Sequence, residues 1–327
     1  MKTRIKLVSM ALLAGSFLAS CEKELTPKDL VPKTVDEDSS LPSIYISDTH
    51  LHSESYGNPD SAMIVVLHGG PGVDYRSLLN AKDLANEGYF VVFYDQRNTG
   101  LSRRHPKSSL HIQQTIDDLS AVIQHYKRSA NQKVFLLGHS WGAMLATEYI
   151  NTYPTQIAGV VLAEPGGFTW EQTKAYVQKS RQSNVLGETV NDATYTDQFI
   201  NSDENDHELA DYKLAILSAS GYAPGNTQGN AGSYPFWRFG SAIFNKMNED
   251  AAKDGFDFTQ NLHQYTTPVL FVYSELNTSY GEQHAREVAA AYPNVHLEMV
   301  RGTGHEIVYF AWNNFRPMVL NYFNNLK

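Results

Sequence analysis

Four short runs, Ala62 to Leu67, Tyr89 to Tyr94, Val134 to Leu137 and Ile157 to Ala163, are almost wholly apolar. Segments long enough for a helix separate most of them. A strand without polar alternation has to be buried on both faces, as parallel strands covered by helices are. Between the runs, Tyr75 to Glu87 reads as a helix closed by Gly88, and Trp141 to Tyr153 as another. His111 to Arg128 carries Ile112, Ile116, Leu119, Val122, Ile123 and Tyr126 on one helical stripe. The rhythm returns near the end with strand Val269 to Tyr273, helix Gly281 to Ala291, strand Val295 to Val300 and helix Ile307 to Phe323. This alternation predicts an α/β fold, a parallel sheet covered by helices on both faces.

Residues 166–262 break the rhythm. They are polar, with helical segments near Trp170 to Arg181, His207 to Ser218 and Phe236 to Ala251, and hold 13 Asp plus Glu against 7 Lys plus Arg. We read them as a helical cap inserted into a core made of residues 43–165 and 263–327. With 327 residues, 42% of them hydrophobic, the chain is long enough for such a domain. Its formal charge of -9 argues against a nucleic-acid partner.

The N-terminus follows another logic. Lys2, Arg4 and Lys6 precede an apolar run, Leu7 to Ala19, that is too short for a stable membrane span and reads as a secretory signal over residues 1–20. It ends in Leu18-Ala19-Ser20-Cys21, which resembles the bacterial lipoprotein cleavage box. That resemblance implies cleavage before Cys21, acylation of its thiol and a lipid-anchored, exported protein. Cys21 is the sole cysteine, so it has no internal disulfide partner. Residues 21–42, polar with three prolines, read as a flexible tether.

The chemistry concentrates at strand ends. Gly138-His139-Ser140-Trp141-Gly142 lies between a predicted strand and a predicted helix, the context of a nucleophile elbow. The sharp turn lifts the Ser140 hydroxyl to the carboxyl end of the sheet, and glycines remove side chains that would clash. His68-Gly69-Gly70-Pro71-Gly72 follows another strand. Backbone N–H groups at Gly69 and Gly70, with that of Trp141, would form an oxyanion hole. His50 and His52 lack a nearby third ligand and read as surface histidines, so no metal site is expected.

Together with Tyr56-Gly57-Asn58-Pro59 and Asp95-Gln96-Arg97-Asn98-Thr99-Gly100-Leu101-Ser102, these motifs resemble the proline iminopeptidase branch of the α/β-hydrolases. The likeness covers residues 50–165, extends over 268–327 by rhythm and leaves the cap uncovered. It implies an eight-stranded, mostly parallel sheet, a helical cap, no cofactor, and hydrolysis of an ester or of a short peptide's N-terminal bond. Related dehalogenases and epoxide hydrolases carry an aspartate where Ser140 stands. In Gly302-Thr303-Gly304-His305-Glu306, the resemblance makes His305 the general base. The triad acid departs from the family: Asn277 stands where an aspartate is usual. Glu164, at the end of the preceding strand, is the preferred substitute, and Glu275 the alternative. Asp95 and Arg97 read as structural. The resemblance also directs attention to cap carboxylates as anchors for a substrate amine, with Asp203, Glu204, Asp206, Glu208 and Asp211 as candidates. The aromatic segment Tyr234 to Phe239 would wall a pocket or fasten the cap. A second reading, resting on Asn277 alone, is a degenerate hydrolase acting as a surface-anchored binding protein.

Overall fold

The computed structural model describes residues 26–180, 206–220 and 226–327. Eight strands form one sheet: β1 (Ser43–Ile46), β2 (Thr49–Tyr56), β3 (Met63–Leu67), β4 (Phe90–Tyr94), β5 (Val134–His139), β6 (Gly159–Ala163), β7 (Val269–Ser274) and β8 (Val295–Val300). Their order is β1-β2-β4-β3-β5-β6-β7-β8. The β1/β2 and β2/β4 pairs are antiparallel, and every later pair is parallel.

The apolar runs are buried on both faces because alternate residues serve opposite layers. Met63, Val65 and Leu67 join the core beneath helices Ile112–Tyr126 and Trp141–Thr152, whereas Ile64 and Val66 join the opposite core with Phe315, Val319 and Phe323. Strands β1 and β2 escaped the sequence reading. They are a hairpin at the sheet edge, and the mixed His, Ser and Glu content of β2 hides it from a search for apolar runs.

Several expectations need correction. Arg76–Glu87 is a succession of 3-10 turns rather than an α-helix. Its buried apolar residues Leu78, Ala81 and Leu84 recur every third position, the period of the tighter helix. The expected final helix is two, Ile307–Phe310 and Trp312–Asn324, parted where Ala311 leaves helical dihedrals (φ -129°, ψ 27°). In the cap, helices Trp170–Ser180 and His207–Ser220 lie near their expected places. The third, Ser241–Asp254, starts later than expected. The aromatic stretch before it is held off helical geometry, because the Asp74 carboxylate accepts the N–H groups of Trp237 and Arg238.

The described part of the expected tether is not free over 31–42. Thr34 and Val35 are buried, Val35 N–H donates to the Leu101 carbonyl at 2.8 Å, and Arg238 Nη1 donates to the Pro32 carbonyl at 3.0 Å. A valine in a polar stretch and a buried cation give this segment a reason to fasten to the body.

Candidate active site

The parallel register brings the carboxyl ends of β3, β5, β6, β7 and β8 to one edge, where the loops carrying the singled-out residues emerge. Ser140 follows β5 with φ 54° and ψ -120°, outside the regions that side-chain-bearing residues favour, and opens helix Trp141–Thr152. Its N–H donates to the Ala163 carbonyl at 2.8 Å, tying the turn to the neighbouring strand. The elbow leaves no room beside it: a Cβ on Gly142 would lie 2.1 Å from the Leu67 carbonyl oxygen, and one on Gly138 2.5 Å from that of Gly142.

Glu164 directly follows β6, fully buried, with a positive φ of 47°. Its Oε1 accepts from the N–H and the hydroxyl of Ser274, both at 2.6 Å. Its Oε2 accepts from His305 Nδ1 at 2.7 Å and from Asn277 Nδ2 at 3.0 Å. The structure thus joins His305 to Glu164. Glu275 faces away, exposed, and accepts the Gly302 N–H at 2.8 Å. The chain bends at Glu275, the first residue beyond β7, so the extended geometry that would set Glu275 beside Asn277 does not hold. Asn277 is a donor that helps to hold the Glu164 carboxylate.

Burial opposes ionisation of Glu164, but the hydrogen bond and charge of His305 and the Ser274 donors prevail, and the carboxyl titrates below its usual range. Burial likewise opposes a charge on His305, and the Glu164 contact reverses it, raising the imidazole above its ordinary value. His139 donates from Nε2 to the His305 carbonyl at 2.8 Å; burial and the neighbouring imidazole push it down to about 3, so it stays neutral.

The turn after β3 is braced from within. His68 accepts the Gln96 N–H at Nε2 (3.0 Å), and the Gln96 amide bridges the His68 carbonyl to the Trp141 indole N–H. Gln96 therefore fixes the two stretches that carry Gly69, Gly70 and Trp141, a role that sequence reasoning missed. The cap contributes as well: His305 N–H donates to the Gln228 carbonyl, and Glu306 N–H to Asn230 Oδ1, both at 2.9 Å. Gly69, Gly70, Ser140, Trp141 and His305 line one cavity of about 710 Å³, roofed by cap residues that include Tyr176, Phe239 and Met247.

Other singled-out residues lie elsewhere. Asp95 is buried and accepts from Tyr75 N–H, Leu101 N–H and His52 Nδ1, while Arg97 grips Asp118 through two hydrogen bonds. Neither is among the residues lining the cavity. His52 is not a surface residue: it is buried against Asp95 and stacks on Tyr75. The Asp95 N–H donates to the His52 carbonyl at 2.9 Å, which sets the two residues side by side. His50 bonds Asp36 and Ser43 in a half-buried position. Among the cap acids, Asp206 accepts the Leu209 N–H, and Asp211 is buried between Arg104 and Arg238. Neither lines the cavity, nor does Glu208. Asp203, Glu204 and Cys21 lie outside the described residues. Tyr234 and Phe239 wall the cavity, whereas Trp237 packs on His52 and Tyr75, so the aromatic segment serves both expected ends.

One cavity residue went unremarked in the sequence as a group of its own: Glu306, 6% exposed. Burial, opposed by the attraction of His305 and reinforced by the Glu164 charge, pushes its carboxyl up to about 7. His139, His305 and Glu306 each present a ligand atom within 4.8 Å of the others. This cluster was invisible to a metal search confined to His50 and His52. Each imidazole already uses one nitrogen within the protein, so an ion there would take the remaining nitrogen of His305.

The sequence profile of the alpha/beta hydrolase fold family matches residues 62–311. A proline iminopeptidase of Thermoplasma volcanium is 35% identical over 104 residues, covering 32% of this chain and 35% of that protein. Epoxide hydrolase B of Mycobacterium tuberculosis is 32% identical over 116 residues, 35% of this chain and 32% of that one. The chain thus spans about a third of the length of these relatives. The crystal structure of a proline iminopeptidase from Mycobacterium smegmatis superposes with a TM-score of 0.61 at 18% identity, covering 87% of this chain and 98% of that one, a likeness of fold.

Proposed function

Because the chain belongs to the α/β-hydrolase fold family, we propose that it is a serine hydrolase cleaving an ester or the N-terminal bond of a short peptide. The observation that carries this reading is the 2.7 Å contact of His305 Nδ1 with the buried Glu164 carboxylate, in a loop sharing one cavity with the Ser140 elbow. With Nδ1–H held by Glu164, the other ring nitrogen is free to take the Ser140 proton as Oγ attacks the acyl carbon. The oxyanion would accept N–H groups from Trp141 and the Gly69–Gly70 turn. Its collapse expels the amine or alcohol, protonated by His305, and leaves an acyl-enzyme. His305 then activates a water to hydrolyse it. No residue of this scheme calls for a cofactor.

Partial likeness to proline iminopeptidases supports the peptide branch, while ester cleavage uses the same groups. Likeness to an epoxide hydrolase does not carry that chemistry over, because Ser140 occupies the nucleophile position. The degenerate-binder alternative rested on Asn277, and the Glu164 contact removes its motive. A fluorophosphonate probe tests the proposal: wild type should label and Ser140→Ala should not. An unlabelled wild type would leave only the binding-protein reading.

We also propose export and lipid anchoring through Cys21, on the basic head, apolar run and Leu18-Ala19-Ser20-Cys21 alone. No helix among the described residues is long and apolar enough to cross a membrane. Radiolabelled palmitate should enter the wild type and not Cys21→Ala; equal absence from both would reject the anchor.

A further inference from the structure

The turn after β3 cannot hold its own shape. Gly70 and Gly72 stand at φ 125° and 104°, a backbone that glycine enters freely and that no side chain of theirs anchors. The near end is fixed by the contact of His68 with Gln96, and beyond the far end Asp95 holds the Tyr75 N–H at 3.1 Å. Between them stands Asp74, buried, with no ion-pair partner among the described residues. A buried carboxylate without a cation is costly unless donors saturate it. Here the backbone supplies them: the Arg76 N–H at 3.0 Å on Oδ1, and the N–H groups of Trp237 and Arg238 at 2.5 and 3.0 Å on Oδ2.

The last two donors belong to a strap of the cap, residues 236–241, that the same turn grips again. Gly240 N–H donates to the Gly72 carbonyl at 2.7 Å, and Arg76 Nη1 reaches the Phe236 carbonyl at 2.9 Å. The approach is backbone on backbone: a Cβ on Gly72 would lie 2.7 Å from the Gly240 carbonyl oxygen. On its other side the strap is fastened to Asp211, which accepts from Arg238 Nε and from the Ser241 N–H, both at 2.8 Å. Phe239, within the strap, walls the cavity. The strap therefore joins the cap framework to the turn, and Asp74 is the buried side chain that pins one to the other.

We propose that Asp74 is a positioning residue for the oxyanion hole. By clamping the backbone of Trp237 and Arg238 it keeps Gly240 against Gly72, and this backing aims the N–H groups of Gly69 and Gly70 at the oxyanion. Asp74 acts from behind the turn and does not line the cavity. The proposal rests on the serine-hydrolase reading above and deepens it: the hole is complete only while the cap strap is docked. A carboxamide has one accepting oxygen where the carboxylate has two, so Asp74→Asn sets an NH₂ against backbone N–H groups and releases one side of the clamp.

The test uses two reagents that phosphorylate the serine hydroxyl with loss of para-nitrophenolate: diethyl para-nitrophenyl phosphate and its P=S analogue. Sulfur is larger than oxygen and a poorer acceptor, so only the P=O reagent draws fully on the oxyanion donors. The readout is the ratio of the two second-order inactivation rate constants, oxygen over sulfur, in which the reagents' intrinsic reactivities are common to every variant. Asp74→Asn should lower this ratio at least about tenfold, within the roughly 10²–10³ that one oxyanion donor supplies. Arg76→Met, a change at an exposed residue that removes the strap's other side-chain contact with the turn, should lower it about threefold with an unchanged melt. A general disturbance of Ser140 or His305 slows both reagents alike and leaves the ratio unchanged; that result in Asp74→Asn would overturn the proposal. Should Asp74→Asn melt below the assay temperature, Arg76→Met decides, and an unchanged ratio there overturns the proposal equally. Fluorophosphonate labelling of wild type separates the two failures. A labelled enzyme whose ratio does not respond loses this proposal and keeps the hydrolase reading, whereas an unlabelled one loses both.

Discussion

Replacing Glu164 by glutamine removes one charge and almost no volume. The carboxylate accepts four hydrogen bonds, two from Ser274 on one oxygen and one each from Asn277 and His305 on the other. A carboxamide has one accepting oxygen. If that oxygen stays with Ser274, its NH₂ faces two donors, and His305 relieves the conflict by moving its proton to the nitrogen that must serve Ser140. If the amide flips, the tautomer survives, but the Ser274 N–H meets a donor and the imidazolium loses its counter-charge. Both outcomes would disable His305 in its proposed role as the base. By analogy with the same exchange in a serine protease, kcat should fall by about 10⁴, or about 5 kcal/mol of barrier, with KM little changed.

The geometry adds a stricter condition. Asn277 Nδ2 lies 3.0 Å from the Glu164 oxygen that His305 contacts. Asn277→Asp in the Glu164→Gln background therefore returns a carboxylate to the neighbourhood and should recover at least about tenfold of kcat, a positive coupling between touching sites. Asn277→Asp alone sets two buried carboxylates against each other and should lower both stability and activity. Steady-state kinetics on an ester, with thermal melts as a folding control, decide the matter. Glu164→Gln retaining kcat within tenfold while Glu275→Gln loses it would refute the reasoning.

Two further consequences follow from the same contacts. As the proposed general base, His305 must be neutral to act, and Glu164 raises it, so the acid limb of kcat/KM should fall above the ordinary histidine value of about 6.5, and Glu164→Gln should move what activity remains to lower pH. The pair's stabilisation has its own window. The raised His305 contributes fully below about 6.5 and loses this as pH climbs through its folded value, whereas the depressed Glu164 contributes above about 4.3 and loses this as pH falls. The melting difference between wild type and Glu164→Gln should peak between those limits; a difference that grows toward pH 9 would contradict the assignment. Finally, Gly142→Ala forces a Cβ to within 2.1 Å of the Leu67 carbonyl, where backbone must yield. It should cost about 3 kcal/mol or more, seen as a melting temperature lower by roughly 4–5 °C or more; an unshifted melt would show that the elbow tolerates more room than its geometry allows.

Local signals made much of this protein legible. Uninterrupted apolar runs announce strands buried on both faces, and five of the eight strands were found that way, with β8 read from the αβ rhythm and its alternation. A serine between glycines at a strand-to-helix turn announces the elbow, because few residue types survive that backbone. The hairpin of β1 and β2 carries no such signal, since an edge pair with polar residues need not be apolar throughout. The 3-10 turns over Arg76–Glu87 also escaped, because the three-residue spacing of Leu78, Ala81 and Leu84 is also a spacing found on one face of an α-helix.

What sequence alone determined is the kind of fold and which residues stand at the ends of its strands, since both follow from neighbours along the chain. Which of those residues meet was decided by tertiary structure. Glu164 and Glu275 were both credible partners for His305, and only the register of β6 against β7, together with the turn after Ser274, aims one inward and the other at solvent. The burial of His52, the bracing by Gln96 and the place of Glu306 in the cavity have the same origin. Each depends on residues 28 or more positions apart, and such meetings are not written in any local pattern.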